Sequence, residues 1–287
     1  MRQLIINADD LGADEARNAG ILEAIQAGIV TSTSILANGP ALEDALRRIR
    51  SQIHQNVSFG IHINLSEGKP LSSNLRLLTG QGGCFLKKTS AHELLMRPGD
   101  RDLEREISQE LANQIEALLN AGVRIDHLDG HQHVHVFPAV LPLTIKVAQQ
   151  YKIPWIRIPE EPYPISSGMG ISPVLKEEAQ FFSRISKKAR LQLKGTRIQT
   201  PTHFRGLYLK GRLSLLLLFD LVQEIPPGLT ELMVHPGRVS DRPFPGPFSA
   251  FSTSDREKEL EALIDQKFQQ GLENEHISLM PFPREQH

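Results

Sequence analysis

The sequence reads as an α/β chain: a distorted (β/α) barrel of seven or eight parallel strands, in a single domain spanning residues 1–287. Three observations lead there. Short apolar runs alternate with helical patterns nearly throughout, as expected when parallel strands are joined by crossover helices. The length suits a barrel, typically about 250 residues. The polar clusters fall where apolar runs end: Asp9-Asp10, His62, the stretch 129–135, Arg157 and His235. In a barrel those ends meet on one face, where active sites sit. An open doubly wound sheet is the alternative.

Residues 3–7 are an apolar run without helical period, the pattern of a buried strand. A helix follows over 14–27, with Ala19, Ile21, Leu22 and Ile25 on its apolar side and an Ala-Gly stop. Residues 31–38 form a second strand, 41–53 a second helix, and 57–65 a third strand carrying His62 and Asn64. Residues 66–100 are rich in Gly, Ser and Pro and have no long period, so they read as an insertion that forms a lid or a substrate wall. A long amphipathic helix spans 102–120, and a fourth strand, 124–130, delivers the His-rich stretch. Helix 139–151 and strand 154–158 come next, then an irregular stretch at 159–173 and a helix, basic toward its end, at 174–193. Strands 203–207 and 231–235 flank helix 213–222. A loop at 238–251, a helix at 255–270 and a strand at 277–280 complete the chain.

Composition narrows the function. A formal net charge of −1 gives no global field toward nucleic acid or an anionic membrane. The apolar run 213–222 is too short to span a bilayer and contains Asp220. The N-terminus turns acidic too soon for a signal peptide, and the single cysteine, Cys84, fits a reducing compartment, so the cytoplasm is expected. No surface stripe argues for or against a homo-oligomer.

The densest chemistry lies in His127-Leu-Asp-Gly-His-Gln-His-Val-His135. In an extended segment Asp129, His131, His133 and His135 would share one face. Such a row is expensive to bury unpaired, and a divalent metal is the commonest reason to assemble it. Alternation alone does not choose among the three histidines. Asp9-Asp10 places two carboxylates after a buried strand, where one must be paired, shifted or metal-bound. With His62 these groups make a hydrolytic metal site with room for water. His235, stopped at the strand end by Pro236, is suited to general acid work. Trp155, Tyr163, Phe244, Phe248 and Phe251 offer either aromatic faces for a sugar or core packing.

Four segments, Asn7-Ala-Asp-Asp-Leu-Gly12, Gly60-Ile-His-Ile-Asn64, His127–His135 and Met233-Val-His-Pro-Gly237, resemble the YdjC-like carbohydrate deacetylases, which include chitooligosaccharide deacetylases and hopanoid-biosynthesis-associated deacetylases. The resemblance implies a distorted barrel that removes an N-acetyl group from an amino sugar or glycolipid with one divalent metal ion. It implies Asp9 as base, Asp10, His62 and His131 as metal ligands, and His235 as general acid or transition-state stabiliser. It thereby selects His131 from the three histidines. Asp129, His133, His135 and Arg157 are left as candidates for substrate contact, with Asp129 also able to orient a ligand imidazole and Arg157 able to pair with Glu160 or Glu161. The metal is unspecified: Mg or Zn first, with Mn, Co and Ni also suited to such ligands. Two other readings stand beside this one. A phosphoesterase or amidohydrolase on the same barrel would hold two metals roughly 3.5–4 Å apart. A non-catalytic carbohydrate-binding protein would have no use for the spare carboxylate.

Overall fold

The computed structural model describes residues 1–52, 56–164, 170–239, 248 and 253–284. Its centre is β1 (Arg2–Leu11), buried from Leu4 onward. In-register parallel pairing joins Arg2–Ala8 of β1 to β7 (Gly228–Val234). On its other edge β1 meets β2 (Ser32–Ile35), while its first residues also pair with β8 (Ile277–Leu279). β3 (Ser58–Ile63), β4 (His127–Gly130) and β5 (Trp155–Ile156) extend the sheet past β2, and β6 (His203–Arg205) lies beyond β7. All pairings are parallel, and the sheet curls into a half-barrel wrapped by helices, as expected for a distorted (β/α) barrel. Gln199, just before β6, bridges to Trp155 of β5 and brings the two ends of the sheet together.

The helices form where caps and apolar faces dictate. Asp14 caps α1 (Glu15–Gln26) by accepting from the Arg17 amide at 2.7 Å. α2 covers Leu42–Gln52; the expected end at Ile53 lies outside the described residues. Asp100 caps α4 (Arg101–Asn120), and Ser172 caps α6 (Pro173–Leu193), whose first residue is the proline favoured there. α5 (Leu141–Gln150) and α7 (Leu215–Glu224) complete the crossovers. No helix among the described residues is long and apolar enough to cross a membrane.

Three expectations need correction. Residues 255–270 are two helices, α8 (Ser254–Ile264) and α9 (Gln266–Asn274). Asp265, extended at ψ 127°, ends the first and caps the second through the Lys267 amide. Residues 66–100 are not wholly irregular, since Lys88–Leu95 form α3. The segment is also tethered: Glu106 and Glu110 of α4, both buried, accept the backbone amides of Leu71, Ser72, Arg76, Leu77 and Leu78. Third, the His-rich stretch leaves the extended conformation at once. His131–Val136 is a tight 3₁₀ turn, with Gln132 (φ 52°) and His133 (φ 57°) left-handed, so the alternating row is broken. The loop 238–251, with Phe244 and Phe251, lies largely outside the described residues.

Candidate active site

The strand ends gather the predicted residues, and local backbone irregularity aims them. The β1–β2 register shifts between Ala8 and Leu11, and Asp10 sits in the left-handed region at φ 69°. A bulge of this kind re-aims side chains, and here it turns Asp9 and Asp10 to different neighbours. On the neighbouring strands His62 and Asp129 stand directly abreast in the β3–β4 register. Gly60 is required nearby, because a Cβ there would lie 2.2 Å from the His127 ring. His127 is therefore core: it stacks on Phe282 with centroids 4.1 Å apart.

One group of ligand atoms comes from Asp10, His62 and His131, all buried and within 4.8 Å of one another. Their hydrogen bonds assign the tautomers. His62 Nδ1 lies 2.6 Å from Asp129 Oδ1, and His131 Nε2 lies 2.8 Å from Glu67 Oε2. Two lone pairs would repel at such distances, so both nitrogens carry protons and donate. The opposite nitrogens, His62 Nε2 and His131 Nδ1, then face Asp10 Oδ1 at 3.3 and 2.9 Å. Two imidazole lone pairs directed at one carboxylate oxygen require a cation among them, either a proton or a metal ion. The set fits a divalent metal, and Asp129 and Glu67 orient its imidazoles. The second carboxylate oxygen of Asp10 is held by Arg17 at 3.1 Å.

The titration of these groups follows. Burial alone would lift Asp10, but His131, His62 and Arg17 hold it well below the usual carboxylate range. Burial would lower His62, but Asp129 and Asp9 raise it to about 10. His131 is raised against its burial by Asp10 and Glu67. The pocket is built to hold positive charge.

Asp9 has a separate partner. Arg157 grips both its oxygens at 2.7 Å, and Asn7 donates to Oδ1 at 2.8 Å. Burial raises the Asp9 pKa despite that guanidinium. The same Arg157 reaches Asp129 Oδ2 at 3.0 Å and Glu231 Oε1 at 2.7 Å. Asp129 also accepts from Ser34 Oγ at 2.5 Å and is held far below the carboxylate range: burial opposes this, and Arg157 and His62 outweigh it. Burial pushes Glu231 up to about 7.

A cleft at these strand ends is lined by Asp9, Asp10, His62, His131, His133 and His235, among others. Of the four candidates for substrate contact only His133 reaches it. Asp129, His135 and Arg157 are fully enclosed. His135 donates from Nε2 to the Arg157 carbonyl at 2.9 Å, and Arg157 is committed to its three carboxylates. Glu160 and Glu161, the expected alternative partners of Arg157, bind Arg190 and the Leu207 amide instead. His235 follows β7, with its amide on Glu259 Oε1 at 2.6 Å. Burial and nearby Arg256 hold its ring well below the usual histidine value, hence neutral. Sequence reasoning missed Glu67, Arg17 and Glu231. For Glu67 a cue existed: Asn64 Oδ1 accepts from the Ser66 and Glu67 amides, an Asx turn that fixes Glu67 in place.

Comparison with known proteins identifies the family. The YdjC-like protein family matches residues 3–274, and the chain belongs to that family. A carbohydrate deacetylase of Brevibacillus brevis is 29% identical over 280 residues, covering 98% of each chain. A carbohydrate deacetylase of Mus musculus is 33% identical over 260 residues, 85% of this chain and 81% of its own. A crystal structure from Enterococcus faecalis V583, bearing the description cellobiose-phosphate cleavage protein, superposes with a TM-score of 0.74 at 23% identity, covering 98% of this chain and 97% of its own. At that identity the likeness establishes the fold.

Proposed function

We propose that this YdjC-like chain is a metal-dependent N-deacetylase of amino sugars, acting in the cytoplasm on a chitooligosaccharide-like or glycolipid substrate. The carrying observation is the convergence of His62 Nε2 and His131 Nδ1 on Asp10, with a second carboxylate, Asp9, beside them in the same cleft. The names of the relatives support the same reading.

Asp10, His62 and His131 would hold one divalent ion, Mg or Zn first, with Mn, Co or Ni as further candidates. When bound, such an ion lowers the pKa of water and polarises the acetyl oxygen. Asp9 takes the proton of the attacking water. Its raised pKa makes it a stronger base than an ordinary aspartate, and the Arg157 fork fixes its orientation. His235 delivers a proton to the departing sugar amine. Being neutral at rest, it passes on a proton released in the reaction rather than storing one. Asp129 and Glu67 lock the ligand tautomers, and Arg157 balances Asp9 and Asp129.

This arrangement also weighs against a two-metal phosphoesterase. Among the described residues the other ligand group, Asp9, His62 and Asp129, shares His62 with the first, and Arg157 already supplies its positive charge. The test is acetate release from N-acetylglucosamine, diacetylchitobiose, longer chitooligomers and an N-acetylglucosaminyl lipid, by metal-stripped protein and after single divalent metals are added. Metal-dependent acetate is expected from at least one. Asp9→Asn should retain metal and lose turnover, whereas His62→Ala should lose both; unchanged turnover in Asp9→Asn would refute the base assignment.

A further inference from the structure

We propose that His133, Phe182 and the Glu178–Lys210 ion pair form a subsite for a neutral pyranose ring of the substrate. The inference rests on the deacetylase reading only for the substrate class.

The subsite begins with the break in the His-rich row. Gln132 and His133 are consecutive non-glycine residues in the left-handed region, a conformation that surrounding structure must impose and that concentrates at functional sites. The turn separates His133 from the metal group, to which it contributes no ligand atom, and sets it in the cleft wall. The ring is 7% exposed, and its Nδ1 has no hydrogen-bond partner among the described residues. That nitrogen is itself enclosed, so the ring meets a ligand through the small exposed part that it presents in the cleft wall.

Phe182 lies beside it, edge-on with centroids 4.7 Å apart. It comes from α6, and one turn earlier, on the same helix face, Glu178 also lines the cleft. Glu178 is shared by two lysines. Lys88 Nζ, from α3 of the 66–100 segment, holds Oε1 at 2.7 Å, and Lys210 Nζ lies 3.3 Å from the same oxygen. Among the described residues Oε2 has only a 3.4 Å contact to Lys210, which leaves it an acceptor with capacity to spare. The wall thus combines an aromatic ring, cationic donors, a carboxylate acceptor and an amphoteric imidazole. A sugar hydroxyl both donates and accepts, so it needs that mixture, and the aromatic ring suits the C–H face of a pyranose. Lys88 ties the inserted segment to Glu178 behind this wall.

The experiment measures binding of cellobiose, a neutral disaccharide with no N-acetyl group to turn over, to the full chain as purified. Calorimetry and amide chemical-shift mapping provide the readouts, and inorganic phosphate serves as an anionic control. The wild type should bind the disaccharide, with shifts at Gln132 and His133. His133→Phe and Glu178→Gln should each weaken binding about tenfold, the worth of one hydrogen bond. Metal content should stay unchanged, and Lys210→Met provides an independent variant. Wild-type affinity in all three variants, no sugar binding by the wild type, or competition by phosphate but by no sugar would each overturn the subsite. Sugar binding that depends on these residues but without acetate release from any substrate would sustain the subsite and defeat the deacetylase reading. Acetate release with unaltered KM in the variants would do the reverse.

Discussion

Arg157→Met should cost the protein several kilocalories of stability, and the loss should depend on pH. Arg157 has no exposed side-chain surface, and three buried carboxylates converge on it: Asp9, Asp129 and Glu231. Methionine fills much of the volume, and Phe204, 5.7 Å from the guanidinium, gives it an apolar neighbour. Packing loss is therefore small and the electrostatic loss dominates. Removing one partner of a buried ion pair costs about 3–5 kcal/mol. At roughly 2.1 cal/mol/K per residue, a chain of 287 residues has an unfolding entropy near 0.6 kcal/mol/K. The melting temperature should fall by about 5–8 °C at pH 7. The sign of the pH effect comes from Asp129, which Arg157 and His62 hold far below its ordinary value. A depressed carboxylate stabilises the fold above its unfolded pKa, and that contribution fades as pH falls. Without Arg157 the carboxylates rise instead, so the variant loses stability as pH climbs above about 4. The gap between wild type and variant should be widest near pH 7–8 and narrow toward pH 4. Thermal melts followed by circular dichroism across that range read it directly. A variant that melts within about 2 °C of wild type at pH 7, or a deficit indifferent to pH, would refute the assignment of Arg157 as the counter-ion of this cluster.

Glu67 should be felt at the metal. Glu67→Gln exchanges a charge-assisted bond to His131 for a neutral one and should weaken divalent-ion affinity about tenfold, and Glu67→Ala nearer a hundredfold, by calorimetric titration of stripped protein. Equal affinities would release Glu67 from the site. Metal binding should expel protons, because His62, raised to about 10, is protonated in metal-free protein at pH 7 while a ligand must be neutral. Apparent affinity should climb with pH toward about 10, and calorimetry in buffers of different ionisation enthalpy should count at least one proton released. The same raised value stabilises metal-free protein below about pH 6.5 and is lost as pH rises through about 10, so added metal should protect most at alkaline pH. Glu231→Gln should stabilise the fold at pH 8 and not at pH 4, since a carboxyl raised to about 7 destabilises progressively above its unfolded value near 4.5. Loss of stability at pH 8 would mean that Arg157 needs the Glu231 charge.

What the chain discloses in one dimension depends on whether a group's partners are near in sequence. β1, β3 and β7 are legible because apolar runs bounded by polar clusters need no tertiary context. The Asp9-Asp10 pair is legible because two carboxylates directly after such a run demand a partner. The row 129–135 misleads for the same reason that it attracts attention. Its period of two implies an extended backbone, but Gln132 and His133 turn left-handed with no glycine to announce it. That turn separates the three histidines: His131 toward Asp10, His133 into the cleft wall, His135 beneath Arg157.

Arg157 is the hardest residue to read from sequence, and the reason is topological. Its three carboxylates sit on β1, β4 and β7, and only a curled sheet brings β5 across to them. From sequence an arginine at a strand end looks like a substrate anchor or a partner of nearby Glu160 and Glu161, because the acids that hold it are far away along the chain. Yet an arginine that stands at 0% exposure against three acids cannot be lent to a substrate without uncovering buried negative charge. The burial that removes Arg157 from the cleft also makes it useful there. A rigid guanidinium fork fixes both oxygens of Asp9, so the carboxylate proposed to act on water keeps one orientation while the ligand group beside it gains or loses its cation. The enclosed Asp129 links the two, through Oδ1 to His62 and Oδ2 to Arg157. A change of charge at either end is therefore felt by this buried carboxylate.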